Sequence, residues 1–184
     1  MLTLRRDIVA GSPLVTDIVL SVVGATVIVL ATQVAVNLPF TPVPITGQTF
    51  GVLVVAMLLG RMRGMYAVGM YLGAGLLGAP VFANFMSLPA IFGPTSGYLL
   101  GFLPMAYVAG LLSEKGWNLS YVGAITTGLV AHTVVLICGV VVLSAFVGVG
   151  NAWTMGVAPF LVGDIVKSVV AAVVVRLALS KRKT

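Results

Sequence analysis

Six apolar stretches follow one another along this chain with almost no charge inside them, and that pattern decides which solvent the fold must face. They run over residues 14–36, 46–60, 64–78, 94–113, 119–147 and 159–179. A helix crossing the hydrocarbon of a bilayer needs around 20 residues. Four of the stretches reach that length, whereas 46–60 and 64–78 hold about 15 residues each. Composition closes the alternative of a soluble core. With 60% hydrophobic and 8% charged residues and a mean hydropathy of +1.18, the chain has too few charges to coat one. Average soluble domains are about 25% charged. The expected class is an all-α integral membrane protein, one domain over residues 1–184, built as a six-transmembrane-helix bundle.

The basic residues supply an independent check, because lysine and arginine collect on the cytoplasmic side of membrane proteins. Six spans with both termini cytoplasmic put Arg5, Arg6, Arg61, Arg63, Lys115, Lys181, Arg182 and Lys183 inside. The outer segments 37–45, 79–93 and 148–158 then contain no lysine or arginine. The net charge of +6 is accordingly read as topology, not as a nucleic-acid surface. The first apolar run is longer than a signal-peptide core and is expected to remain as the first helix.

The segments between the spans carry more information. "NLPFTPVPITGQTF" (37–50) packs Pro39, Pro42 and Pro44 into six residues, which prevents helix and favours an extended path. Unpaired backbone carbonyls cannot sit in lipid, so the segment lies in water or is buried by protein. "GAPVFANFMSLPAIFGPTSGY" (78–98) is similar in kind, with further prolines, Asn84 and three phenylalanines. Both fall on the outer side, where two structured loops covering one end of a bundle would form a lid over a pocket.

Asp164 and Lys167, in "GDIVK", are the residues that most invite a functional reading. Three apart on a helix, they share a face. Charges at mid-membrane cost roughly 2.5–3.5 kcal/mol each on insertion scales and are seldom kept without a use. The pair reads either as a structural ion pair or as the polar floor of a ligand cavity. In the cavity reading Lys167 holds a carboxylate and Asp164 accepts from ligand N–H groups. His132, the single histidine, lies in the fifth stretch and is expected to bond to a neighbouring helix. Arg61 and Arg63 read as topological anchors. One cysteine, Cys138, excludes an intrachain disulfide. Neither a nucleophile with its base, nor a metal-ligand cluster, nor a nucleotide-binding loop is present, so no enzyme activity is expected.

Four motifs in order, "PFTPVPITGQTF" (39–50), "GAPVF" (78–82), "FGPTSGYLLGF" (92–102) and "GDIVK" (163–167), are similar to those of the BioY family. These are the biotin-binding S components of energy-coupling-factor (ECF) transporters. The resemblance implies a bundle that binds biotin near its outer face, with the 42–48 loop as lid. It assigns biotin contacts to Thr46, Gln48, Asn84, Tyr98, Asp164 and Lys167, with Phe82, Phe85 and Tyr98 as apolar walls. Many relatives carry an arginine in the loop between the third and fourth spans. This chain reads "ANFMSLPAI" there, which shifts charge recognition to Lys167. The resemblance further implies a transmembrane coupling subunit and ATPase subunits as partners, with no cofactor beyond the ligand. An Ala31–Ala35 face on the first helix would contact the coupling subunit, with Ser21–Ala25 as the alternative register. The competing reading is a self-sufficient secondary transporter acting as a homo-oligomer, in which Asp164 or His132 relays protons.

Overall fold

A computed structural model describes residues 13–180. Arg5, Arg6, Lys181, Arg182 and Lys183, used in the charge argument, lie outside the described residues. Within them the chain is helical almost throughout: α1 Pro13–Thr32, α2 Gln48–Leu59, α3 Arg61–Leu76, the short α4 Leu88–Phe92, α5 Ser96–Glu114, α6 Tyr121–Val147, α7 Val149–Gly156 and α8 Leu161–Ser180. Two short strands, β1 Ala35–Val36 and β2 Ile45–Thr46, pair antiparallel between α1 and α2. Among the described residues α1, α5 and α6 are long and apolar enough to cross a membrane, and α7 with α8, bent by 42° at the break between them, reach that length and apolarity only when taken together. The protein is an all-helical membrane protein.

The faces of α1 show which solvent shaped it. Its buried residues are Thr16, Ser21, Gly24, Ile28 and Thr32, while Val15, Ile18, Val19, Val22, Val23 and Leu30 are exposed. Valine gains nothing by leaving lipid, so the interior goes to small and hydroxylated residues that allow close packing. A Cβ added at Gly24 would sit 2.9 Å from Val55 and 3.0 Å from Ala67, which measures how tightly α1 meets α2 and α3.

The shortest of the six main helices, α2, holds twelve residues, nine of them buried. It extends about 18 Å at 1.5 Å per residue, too little to span hydrocarbon alone. Protein, not lipid, surrounds it, since α1, α3, α5 and α8 all pack on it. Gly60, at φ 85°, then turns the chain directly into α3. The α3 amino terminus is closed from α5, with the Arg61 N–H donating to Glu114 Oε1 at 2.9 Å. Nearby, Arg63 pairs with Asp17 of α1 at 2.6 Å. The two arginines read as topological anchors therefore also clamp α3 to its neighbours.

The first apolar stretch is corrected by this structure. It does not continue as helix to residue 36: α1 stops at Thr32, and Gly47 N–H donates to Val34 O at 2.8 Å while Ala35 pairs with Thr46. The proline-rich segment cannot supply helical partners, so the residues entering and leaving it bond to each other. Consequently Ala31 and Ala35 do not form one helical face. Ala31 turns toward α2, where a Cβ on Gly51 would lie 2.9 Å from its methyl group, and Ala35 belongs to a strand. Ser21 of the alternative register is buried within the bundle.

Candidate functional site

A cavity of about 360 Å³ opens beneath the two loops, between α2, α5, α6 and α8. Thr46, Gln48, Phe82, Asn84, Tyr98, Asp164 and Lys167 all line it. They come from four separate parts of the chain: the β2–α2 junction, the 77–87 loop, the start of α5 and the first turns of α8.

The charged end is built on α8. Asp164 sits in the first helical turn, where a carboxylate favours the helix dipole, and its N–H donates to Phe160 O at 2.8 Å. One turn on, Lys167 Nζ lies 3.7 Å from Asp164 Oδ1 and donates to Thr49 Oγ1 of α2 at 3.0 Å. His132 of α6 faces the same carboxylate oxygen, with Nε2 at 3.5 Å. Its Nδ1 is held at 2.8 Å from Gly128 O and 3.2 Å from Ser168 Oγ. The histidine thus binds α6 to α8 as well as touching the acid. Among the described residues no three His, Cys, Asp or Glu side chains converge as a metal site would require.

Opposite α8, Gln48 is 5% exposed and donates from Nε2 to the Tyr71 hydroxyl. Tyr71 meets the edge of Phe82 with ring centroids 5.2 Å apart. Tyr98 spends its hydroxyl on Gly156 O at 2.7 Å and lays its ring over Gly139, leaving an apolar wall with Phe102 and Phe160. At the mouth, Asn37 and Asn84 exchange hydrogen bonds of 3.1 and 3.4 Å across the two loops. Thr41 Oγ1 donates to Met155 O at 2.8 Å, tying the first loop to α7. Asn84 and Phe85 hold left-handed backbone angles, φ 56° and 57°. That bend turns Phe85 outward, 70% exposed and off the cavity wall, contrary to its expected place beside Phe82.

Residues 4–184 match the model of the BioY family. The chain belongs to the BioY family. Among BioY proteins, the biotin transporter BioY of Thermotoga maritima is 39% identical over 141 residues, covering 76% of this chain and 82% of that one. The biotin transporter BioY of Rhizobium etli is 37% identical over 172 residues, with 87% and 91% covered. The fold is similar to the crystal structure of the S-component for biotin from an ECF-type ABC transporter, with TM-score 0.82 at 24% identity over 96% of this chain and 95% of that one.

Thr49, Phe102 and Phe160 also line the cavity of this BioY chain and were not singled out from sequence. Threonine and phenylalanine in apolar runs look like ordinary packing; only the approach of α2 to α8 gives Thr49 its lysine.

Proposed function

We propose that this chain captures biotin from outside the cell as the substrate-binding subunit of an ECF-type transporter. The observation that carries the reading is the polarity pattern of the cavity: two oxygen acceptors and one cation at depth, apolar walls above, amides at the mouth. Biotin has this pattern in reverse. Its ureido ring offers two N–H donors and one carbonyl, its bicycle and tail are apolar, and its carboxylate sits at the far end. Asp164 and the Gln48 carbonyl oxygen would accept the N–H groups, and Lys167 would donate to the ureido oxygen. Lys167 is already neutralised by Asp164 at 3.7 Å, so this end carries no surplus charge for a carboxylate. A carboxylate placed beside Asp164 would also lose its hydration for little return. It belongs at the mouth, near Asn37 and Asn84 and in reach of water. This reverses the expectation that Lys167 holds the carboxylate. The names borne by the BioY relatives support biotin as the ligand.

Capture is one half of transport. The chain has no nucleotide-binding loop, which fits a division of labour with a coupling subunit and ATPases. The absence of lysine and arginine from the outer loops supports a cavity opening outward with both termini cytoplasmic.

The test is calorimetric titration of the purified chain with biotin and with biotin methyl ester. Both bind if the ureido end is deep, whereas loss of the ester alone would put the carboxylate on Lys167. Asp164→Asn and Lys167→Met each weaken biotin by tenfold or more, about 1.4 kcal/mol per decade. No binding of biotin by the unaltered chain would remove the proposal.

A further inference from the structure

Gln48 has two chemically opposite faces, a carbonyl oxygen and an amide nitrogen, and the side chain could be turned either way. Its direction follows from the protons behind it. Thr32 Oγ1 lies 2.6 Å from Ile28 O. A backbone carbonyl can only accept, so the single Thr32 hydroxyl proton is committed there. The Tyr71 hydroxyl stands 3.3 Å from Thr32 Oγ1. That contact can therefore be a hydrogen bond only if Tyr71 donates. With its own proton given to Thr32, the Tyr71 oxygen is an acceptor toward Gln48, and Gln48 must meet it with N–H. The carbonyl oxygen Oε1 is left to face the cavity, accepting nothing from the described residues. The order of donors runs one way, from Gln48 through Tyr71 and Thr32 to the Ile28 carbonyl.

We infer that Tyr71 and Thr32, neither of which lines the cavity, are positioning residues that hold Gln48 as a hydrogen-bond acceptor and so make the site select a ligand carrying an N–H at that point. The inference rests on the biotin reading, in which that donor is a ureido N–H. The relay is built to last: Tyr71 is 1% exposed and Thr32 is fully buried, so water does not compete for its members. A donor in place of Oε1 would face the ligand N–H with another N–H, leaving two buried groups unpaired.

The experiment measures biotin affinity by calorimetry for the unaltered chain, Tyr71→Phe, Thr32→Val and Thr32→Ser, each also combined with Gln48→Ala. Biotin methylated on the ureido nitrogens serves as the second probe. Tyr71→Phe keeps the ring on Phe82 but removes the relay, and Thr32→Val frees the Tyr71 proton to turn the amide around. Each is expected to weaken biotin about tenfold and to shrink the preference for biotin over its N-methylated form by a similar factor. Thr32→Ser, which keeps the hydroxyl, restores both. In the Gln48→Ala background the same changes have no further effect. Equal losses with and without Gln48, or unaltered affinity in both Tyr71→Phe and Thr32→Val, overturn the inference while leaving biotin binding standing. Should Tyr71→Phe fail to fold, the Thr32→Val and Thr32→Ser pair decides. No binding by the unaltered chain would instead overturn the biotin reading and this inference with it.

Discussion

A missing side chain shapes the cavity as much as the charged ones do. Gly139 of α6 lies under the Tyr98 ring, so that a Cβ added there would fall 2.1 Å from a ring carbon. The ring cannot give way without breaking its hydroxyl bond to Gly156 O at 2.7 Å or entering the cavity. Gly139→Ala is accordingly expected to reduce biotin affinity at least tenfold while the protein still inserts and purifies. Gly150→Ala, where nothing lies within 4 Å of the new carbon, serves as control and keeps its affinity. Titration of both variants checks this, and equal behaviour of the two would show that Tyr98 has room to move. The charged residues follow a different logic. Each described acid faces a base: Asp17 with Arg63, Glu114 with Arg61 and Asp164 with Lys167. The first two pairs hold helices near their ends. The third stands at a cavity, where a ligand can compete for both partners.

The ends of α3 and α1 are set by groups outside those helices. In α3 the amino terminus has no side-chain cap of its own, and Glu114 reaches from α5 to accept the Arg61 N–H at 2.9 Å. Its ion pair with the Arg61 side chain, 3.4 Å long and partly exposed, contributes little by comparison. Removing the acceptor with Glu114→Ala should cost about 1 kcal/mol, the usual value of a lost cap. Arg61→Met keeps the backbone donor and should cost less. Thermal unfolding in detergent ranks the two, and the reverse ranking would mean that the side-chain ion pair, not the cap, ties α3 to α5. At the cavity end, the early stop of α1 has the opposite cause. The chain leaves the helix because β1 and β2 must close the proline-rich loop, and this brings Thr46 and Gln48 to the cavity.

The whole molecule has two unlike ends. Loops tied by Asn37, Asn84 and Thr41 cover the cavity, and the turns at the other end carry Arg61, Arg63 and Lys115. With the cavity facing outward, a cysteine at Phe40, which is 57% exposed, reacts with a membrane-impermeant maleimide on intact cells. One at Lys115 reacts only after the membrane is opened. Both are made in a Cys138→Ser background, since Cys138 is the chain's single cysteine. Labelling in the opposite sense would invert the topology and place the cavity inside.

By itself the sequence determined the solvent, the class and the chemistry available. Apolar runs with so little charge leave lipid as the only surroundings, and few polar residues outside the turns remain from which to build a site. Asp164, Lys167, Gln48 and Asn84 were legible because polar groups in such a chain are conspicuous against their surroundings. Tertiary structure decided what no local pattern encodes. Where α1 stops depends on a partner strand ten residues further on, so the Ala31–Ala35 face was not legible as two separate elements. Phe85 and Phe82 are alike in sequence, and only the left-handed bend between them sends one outward. Thr49, Tyr71 and Thr32 look like packing until α2, α3 and α1 meet, because the direction of a hydrogen bond exists only between groups that the fold has brought together.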